Sequence, residues 1–138
     1  MSDSQITGNS GLYYVCYKLS CMGWNVMPTA RNARGIDIIA YNSDGSKFIG
    51  VQVKSLSKKN PVPLGKSIEN DKIMGDFWII VTDVTSEQPK AFILKPDEVK
   101  KGALRGGKEG RFSYWLRPTV YENPLFKGKW KRIGNGKK

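Results

Sequence analysis

The stretch Gly35 to Lys54, GIDIIAYNSDGSKFIGVQVK, constrains this chain most. Ile36 to Tyr41 and Phe48 to Val53 are rich in β-branched and aromatic residues, the composition of strands. Between them, Asp44-Gly45 closes a hairpin, because glycine adopts positive φ without steric cost. A two-residue loop pairs Ser43 with Ser46, and a four-residue loop pairs Asn42 with Lys47. Both give one register, in which Asp37 faces Gln52 with Cβ atoms ~4.5–5.5 Å apart. Side chains alternate along a strand, so Lys54 shares the Gln52 face. A three- or five-residue loop would shift the register and separate these groups. Ile49, Val51 and Val53 then face a core. The polar face has two readings. It is the solvated side of a hairpin, or, flanked by Ile39, Tyr41 and Phe48, it is a half-buried site of acid, amide and amine.

Glycine, Asp37 in a strand, and a hairpin leading to Gln52-Val53-Lys54 together resemble the PD-(D/E)XK nuclease superfamily. Gly23-Trp24 after the first helix and Asp76-Phe77-Trp78 further on fit the same pattern. The resemblance covers about residues 8–95. It implies an α/β fold, a restriction-endonuclease-like α-β-β-β-α-β core with a mixed central sheet flanked by helices. It also implies catalytic roles for Asp37, Gln52 and Lys54. Magnesium or manganese would be held by Asp37, the Gln52 side-chain oxygen and the Val53 carbonyl. One position departs from the family. A first-helix glutamate is expected in a pattern like Gly-Glu-x-x-Val, and Gly11-Leu12-Tyr13-Tyr14-Val15 has Leu12 there. Asp37 is then the only carboxylate of the motif.

Composition narrows the chemistry. The chain has 138 residues and no histidine, so Ser-His-Asp and Cys-His nucleophile pairs and HNH or zincin metal sites are excluded. Cys16 and Cys21 lie about 140° apart around a helix, a poor disulfide and no zinc site. No apolar run reaches membrane-spanning length, and MSDSQITGNS does not read as a signal peptide. A single domain in a reducing cytoplasm is expected.

The net charge is +11, unevenly spread. Residues 1–99 hold eleven Lys/Arg against ten Asp/Glu, while residues 100–138 hold twelve against two. The domain thus reads as a core of about 8–95 with a basic, aromatic C-terminal extension of about 100–138. The expected partner is nucleic acid, with DNA the expected form, and a homodimer would suit an enzyme cutting two strands. Candidate phosphate contacts are Arg31 and Arg34 before Asp37, and Lys58, Lys59 and Lys66 after Lys54. Arg111, Arg117, Lys127, Lys129, Lys131 and Arg132 in the extension complete the set. Each basic loop has the plainer alternative of solvated surface.

Along the chain, residues 1–8 read as frayed, with Asn9 or Ser10 capping a helix whose stripe is Leu12, Val15, Leu19 and Met22. Residues 67–74 suggest a short helix. Asp76 to Thr82 reads as a buried central strand, Ala91 to Leu94 as another, and Pro96 opens a helix to Leu104. Arg105 to Arg111 reads as a flexible loop and the tail GNGKK as disordered. The aromatics from Phe112 to Trp130 either stack on bases or cap the sheet, with Trp115 and Trp130 assigned to packing. Two functions follow: a metal-dependent DNA endonuclease, or a catalytically inactive nuclease-fold protein that binds nucleic acid.

Overall fold

A computed structural model describes residues 3–30, 35–70 and 72–137. The fold is mixed α/β, with a five-stranded central sheet and helices against it. Helix α1 (Asp3–Cys21) leads into β1 (Asn25–Pro28), β2 (Ile38–Tyr41) and β3 (Phe48–Ser55). Then come β4 (Val62–Gly65), β5 (Phe77–Thr82), β6 (Lys90–Leu94) and α2 (Pro96–Gly102). The chain ends with β7 (Leu104–Lys108), β8 (Arg111–Leu116), α3 (Pro118–Tyr121) and a 3₁₀ turn, Trp130–Arg132. The sheet order is β1-β2-β3-β5-β6. The β3–β5 pair is parallel and the rest antiparallel. A second sheet, β4-β8-β7, lies apart from it in the strand order.

The hairpin has the register expected from its turn, with Ile38 paired to Val51 and Tyr41 to Phe48. Gly45 supplies the positive φ of 72°. Asp44 accepts from the Ser46 backbone, and Asn42 spans the loop to Lys47. The ladder ends one residue before the expected Asp37–Gln52 pair. The Asp37 N–H donates to the Val51 carbonyl at 2.9 Å, and the Asp37 carbonyl is drawn the other way by the Thr29 N–H at 2.9 Å. Two pulls in opposite directions take Asp37 out of the regular strand.

The central sheet is buried on both faces at β5 and β6, so it organises two cores. On one side Val15 and Leu19 of α1 meet Ile38, Ala40, Ile49, Val51, Ile79, Val81 and Ile93. On the other, Trp78, Ile80, Phe92 and Leu94 meet Val62, Val99, Leu116, Tyr121 and Phe126. This two-sided burial is why β5 reads apolar almost throughout. Gly11 makes the first packing possible. A Cβ there would lie 1.8 Å from Ser55 Oγ, so only glycine lets α1 sit this close to β3.

Several local expectations change. Helix α1 begins by Asp3 rather than at Asn9 or Ser10. The helix expected at 67–74 does not form among the described residues there, Asp71 lying outside them; the Lys72 and Ile73 amides bond the Glu69 carbonyl, and Ile73 packs into the second core from irregular chain. Where a helix was expected between the parallel strands, Pro61, Pro63 and Gly65 favour strand β4 and loops instead. Arg105 to Arg111 is no loop but most of the β7–β8 hairpin. The tail is held: Gly136 N–H donates to Met22, Ser43 N–H donates to Gly136, and Trp24 Nε1 donates to the Gly134 carbonyl. Residues beyond 100 supply Leu116, Tyr121, Phe126 and Ile133 to the cores, so they are built into the fold. Among the described residues, no helix is long and apolar enough to cross a membrane. Cys16 and Cys21 are free thiols.

Candidate active site

Strand β3 runs on past the point where β2 begins, and its last residues line a cleft of about 340 Å³. Asp37, Val53, Lys54 and Ser55 form one wall; Gly8, Asn9 and Leu12 of α1 form another, closed by Thr29 and Ala30. A second cleft of about 530 Å³ shares Ser4 and Ser55 with it and extends over Leu56, Ser57 and Asn60.

Each side chain is placed by its element. The Asp37 carboxylate accepts the Val53 N–H at Oδ2, 2.7 Å away. Thr29 fixes the preceding backbone through Oγ1 to the Ile36 carbonyl at 2.6 Å. The N–H and C=O of one strand residue point to the same side. The Val53 carbonyl therefore faces the same open edge as Asp37. Lys54 lies one position on, pointing to the second core, with its ammonium over the Trp78 indole, 5.4 Å from the centroid. Burial holds the ammonium below the ordinary lysine pKa, and the Asp37 charge pulls it partly back. An amine that loses its proton more easily than usual can orient or accept a proton from a water beside it.

Asp37, Val53 and Lys54 are thus brought together. Gln52 pairs with Trp78 and is not among the residues lining the cleft. Leu12 lines it directly. Among the described residues, no group of three or more Asp, Glu, His or Cys side chains converges. Oxygen donors suit magnesium or manganese. Among the cleft's oxygen atoms, the Asp37 carboxylate and the Val53 carbonyl are the candidate donors.

The basic residues are dispersed. Arg31 and Arg34 lie outside the described residues. Lys58, Lys59 and Lys66 are exposed on the segment leaving β3, where Lys59 pairs with Glu122. Arg111 and Arg117 are exposed on and beside β8. Lys127, Lys129 and Lys131 belong to the segment along β6, where Phe92 bridges Lys127. Arg132 is committed inward: its Nη atoms donate to both Glu98 carboxylate oxygens at 2.9 and 2.8 Å and to the Ile93 carbonyl at 2.7 Å. With both ends engaged, this guanidinium holds α2 to the tail. Trp130 packs on the first core as assigned, whereas Trp115 is 38% exposed.

Sequence reasoning missed Asn9, Thr29 and Trp78 as neighbours of the site. Only Trp78 carried a readable signal, since a parallel neighbour of β3 places its residues beside Gln52 and Lys54.

No family model matches the chain, and no curated protein matches it. Among solved structures, the bacterial homing endonuclease I-Ssp6803I superposes with a TM-score of 0.62 at 16% identity, over 96% of this chain and 93% of that one. At this identity the likeness is one of fold.

Proposed function

We propose that this chain is a metal-dependent DNA endonuclease acting at the Asp37–Val53–Lys54 cleft. The observation that carries the proposal is the convergence of Asp37, the open Val53 edge and a desolvated Lys54 where β2 and β3 part. The homing endonuclease that shares the fold supports phosphodiester cleavage as the chemistry. Asp37 and the Val53 carbonyl would hold magnesium or manganese, with Gln52, the neighbouring amide, the further donor expected from sequence. The ion, when bound, would polarise a phosphoryl oxygen and lower the pKa of a bound water. Lys54 orients the attacking water and balances negative charge developing on the phosphorus oxygens. Asp37 also fixes the end of β3 through the Val53 N–H, so the lysine is presented from a held backbone. The exposed Lys58 and Lys66 suit backbone phosphates entering beside the cleft.

The inactive binding protein is retained as a second reading because Leu12 lines the cleft where a carboxylate would serve. Incubation of plasmid, linear, branched and single-stranded DNA with magnesium or manganese, against EDTA, separates the two. The nuclease reading expects metal-dependent cutting that Asp37→Ala and Lys54→Ala both abolish while binding persists. Tight, salt-sensitive binding with no cutting on any substrate overturns it in favour of the second.

A further inference from the structure

The β7–β8 hairpin stands out from the rest of the surface. Its register pairs Leu104 with Trp115, Gly106 with Ser113 and Lys108 with Arg111 on one side, and Arg105 with Tyr114 and Gly107 with Phe112 on the other. The second side turns inward at its base, where Leu116 is buried and Tyr114 packs on the second core. The first side faces outward. Leu104 is 45% exposed, and Lys108 and Arg111 are exposed at the tip. On the other face, Arg105 lies over the Phe112 ring, 4.2 Å from its centroid. The only acid between Leu104 and Arg117 is Glu109.

Gly106 is the informative residue. Glycine weakens a strand interior and is kept where a bulge, a bend or a close approach of another group requires it. Gly107 has such a reason within the fold, since a Cβ there would meet the Arg111 carbonyl oxygen at 2.4 Å. Gly106 has none: an added Cβ would meet only Trp115 Cδ1, at 4.0 Å. The outward face is therefore open at Gly106 among the described residues. With Ser113 opposite, the middle of this face is low and polar. Its tip is cationic and its base is apolar.

From this juxtaposition we infer that the β7–β8 ribbon enters the major groove of duplex DNA and reads base edges there, giving the endonuclease its sequence preference. The inference rests on the DNA-cleaving reading above and deepens it. Strand β4 pairs with Tyr114, Trp115 and Leu116 at the base, so the free two-stranded part is the tip, Gly106 to Lys108 against Arg111 to Ser113, about 10 Å long. The major groove, about 12 Å wide, admits such a ribbon. Arg111 and Lys108 supply donors for guanine O6 and N7, and Ser113 supplies a hydroxyl for either base type. Leu104 and Trp115 offer apolar contact for a thymine methyl or the sugar edge.

The test is selection of the full-length protein against a randomised duplex library without divalent metal, followed by guanine N7 methylation interference on the selected site. Wild type should enrich a defined sequence. Arg111→Ala and Lys108→Ala, separately and together, should lower the preference for that sequence over random duplex, at least tenfold for the double variant, and remove interference at particular guanines. Lys131→Ala, a cation of the 3₁₀ turn, should weaken both duplexes alike. Circular dichroism checks that each variant is folded, and Arg111→Lys serves as a conservative second variant expected to keep binding but blur selection. Unchanged preference with a uniform loss of affinity would overturn the inference and reduce the ribbon to a phosphate contact. Binding without any enriched sequence would overturn it, as would a ribbon variant that changes only the oligomeric state by light scattering. Sequence selection by a wild type that never cuts DNA would sink the nuclease reading and leave the ribbon's role standing.

Discussion

The cleft and the β7–β8 ribbon hold their cations in opposite ways. Lys54 is half-buried over an indole, and its pKa is lowered by desolvation. Lys108 and Arg111 project from a hairpin tip into water. A solvated cation has little influence on the acidity of its neighbours, but it meets phosphates and base edges at low cost. A desolvated one destabilises the fold and gains chemical versatility. The contrast marks one region for reaction and the other for recognition.

The largest expected effect tests the cleft's side of this contrast. Asp37→Asn retains an oxygen for the Val53 N–H and removes the charge. Cleavage should fall at least 10³-fold, the scale of losing a main electrostatic group at a reacting centre, with the melting temperature nearly unchanged. A variant that cuts normally would place the chemistry elsewhere.

Gly11→Ala comes next. The added methyl meets Ser55 Oγ and Cβ at 1.8 and 2.6 Å, so α1 must retreat from β3. Overpacking of this kind costs about 1–3 kcal/mol, readable as a lower urea midpoint. The cleft should lose activity while the ribbon's DNA preference persists. Loss of both together would mean that the two regions are not independent.

Lys54→Met sharpens the comparison in the other direction. The lysine's pKa is lowered despite attraction from Asp37, so the site as a whole disfavours the charge. Its removal should stabilise the fold by about 1 kcal/mol, or about 2–5 °C, while activity is lost. Lys108→Met should move stability by less than about 0.5 kcal/mol. The pH dependence has a defined sign. Unfolded Lys54 binds more protons than folded Lys54 between its lowered folded pKa and the ordinary value. Its contribution to stability therefore rises with pH across that window, and Lys54→Met should flatten the rise.

Tyr121 gives the opposite slope, confined to alkaline pH. Burial, chiefly, pushes its phenol up to about 12, while its hydroxyl donates to the Asn60 carbonyl at 2.7 Å. The unfolded phenol ionises first, so stability present below the ordinary tyrosine value is lost as pH rises through about 12. Tyr121→Phe should cost about 1 kcal/mol at neutral pH and make the alkaline limb shallower in a pH series of urea melts. A steeper alkaline limb would contradict the burial of the phenol.

Legibility from sequence followed the range of the interactions involved. Asp44-Gly45 fixed the hairpin register locally, and the apolar run of β5 announced burial on both faces. Asp37 was found as a residue but not in its bonding, because Thr29 and Val51, which compete for its backbone, act across strands. The first turns of α1 carry no apolar period, since Asp3 to Ile6 face water, so the helix looked shorter. Gly106-Gly107 reads as a loop in isolation and becomes strand only through pairing with β8. Arg132 looked like surface charge until Glu98, far along the chain, claimed it.

The held tail sets a condition on how the molecule is made. The Trp24 indole bonds Gly134 across 110 residues of chain, and Gly136 joins the end of α1 to the β2–β3 turn. On the ribosome, the helix and hairpin that bracket the cleft emerge long before the segment that locks them. Non-local closure of this kind slows folding and leaves apolar surface uncovered in the interval. Synthesis rate and chaperone access would then govern the yield of protein with an ordered cleft more than the stability of the finished fold does.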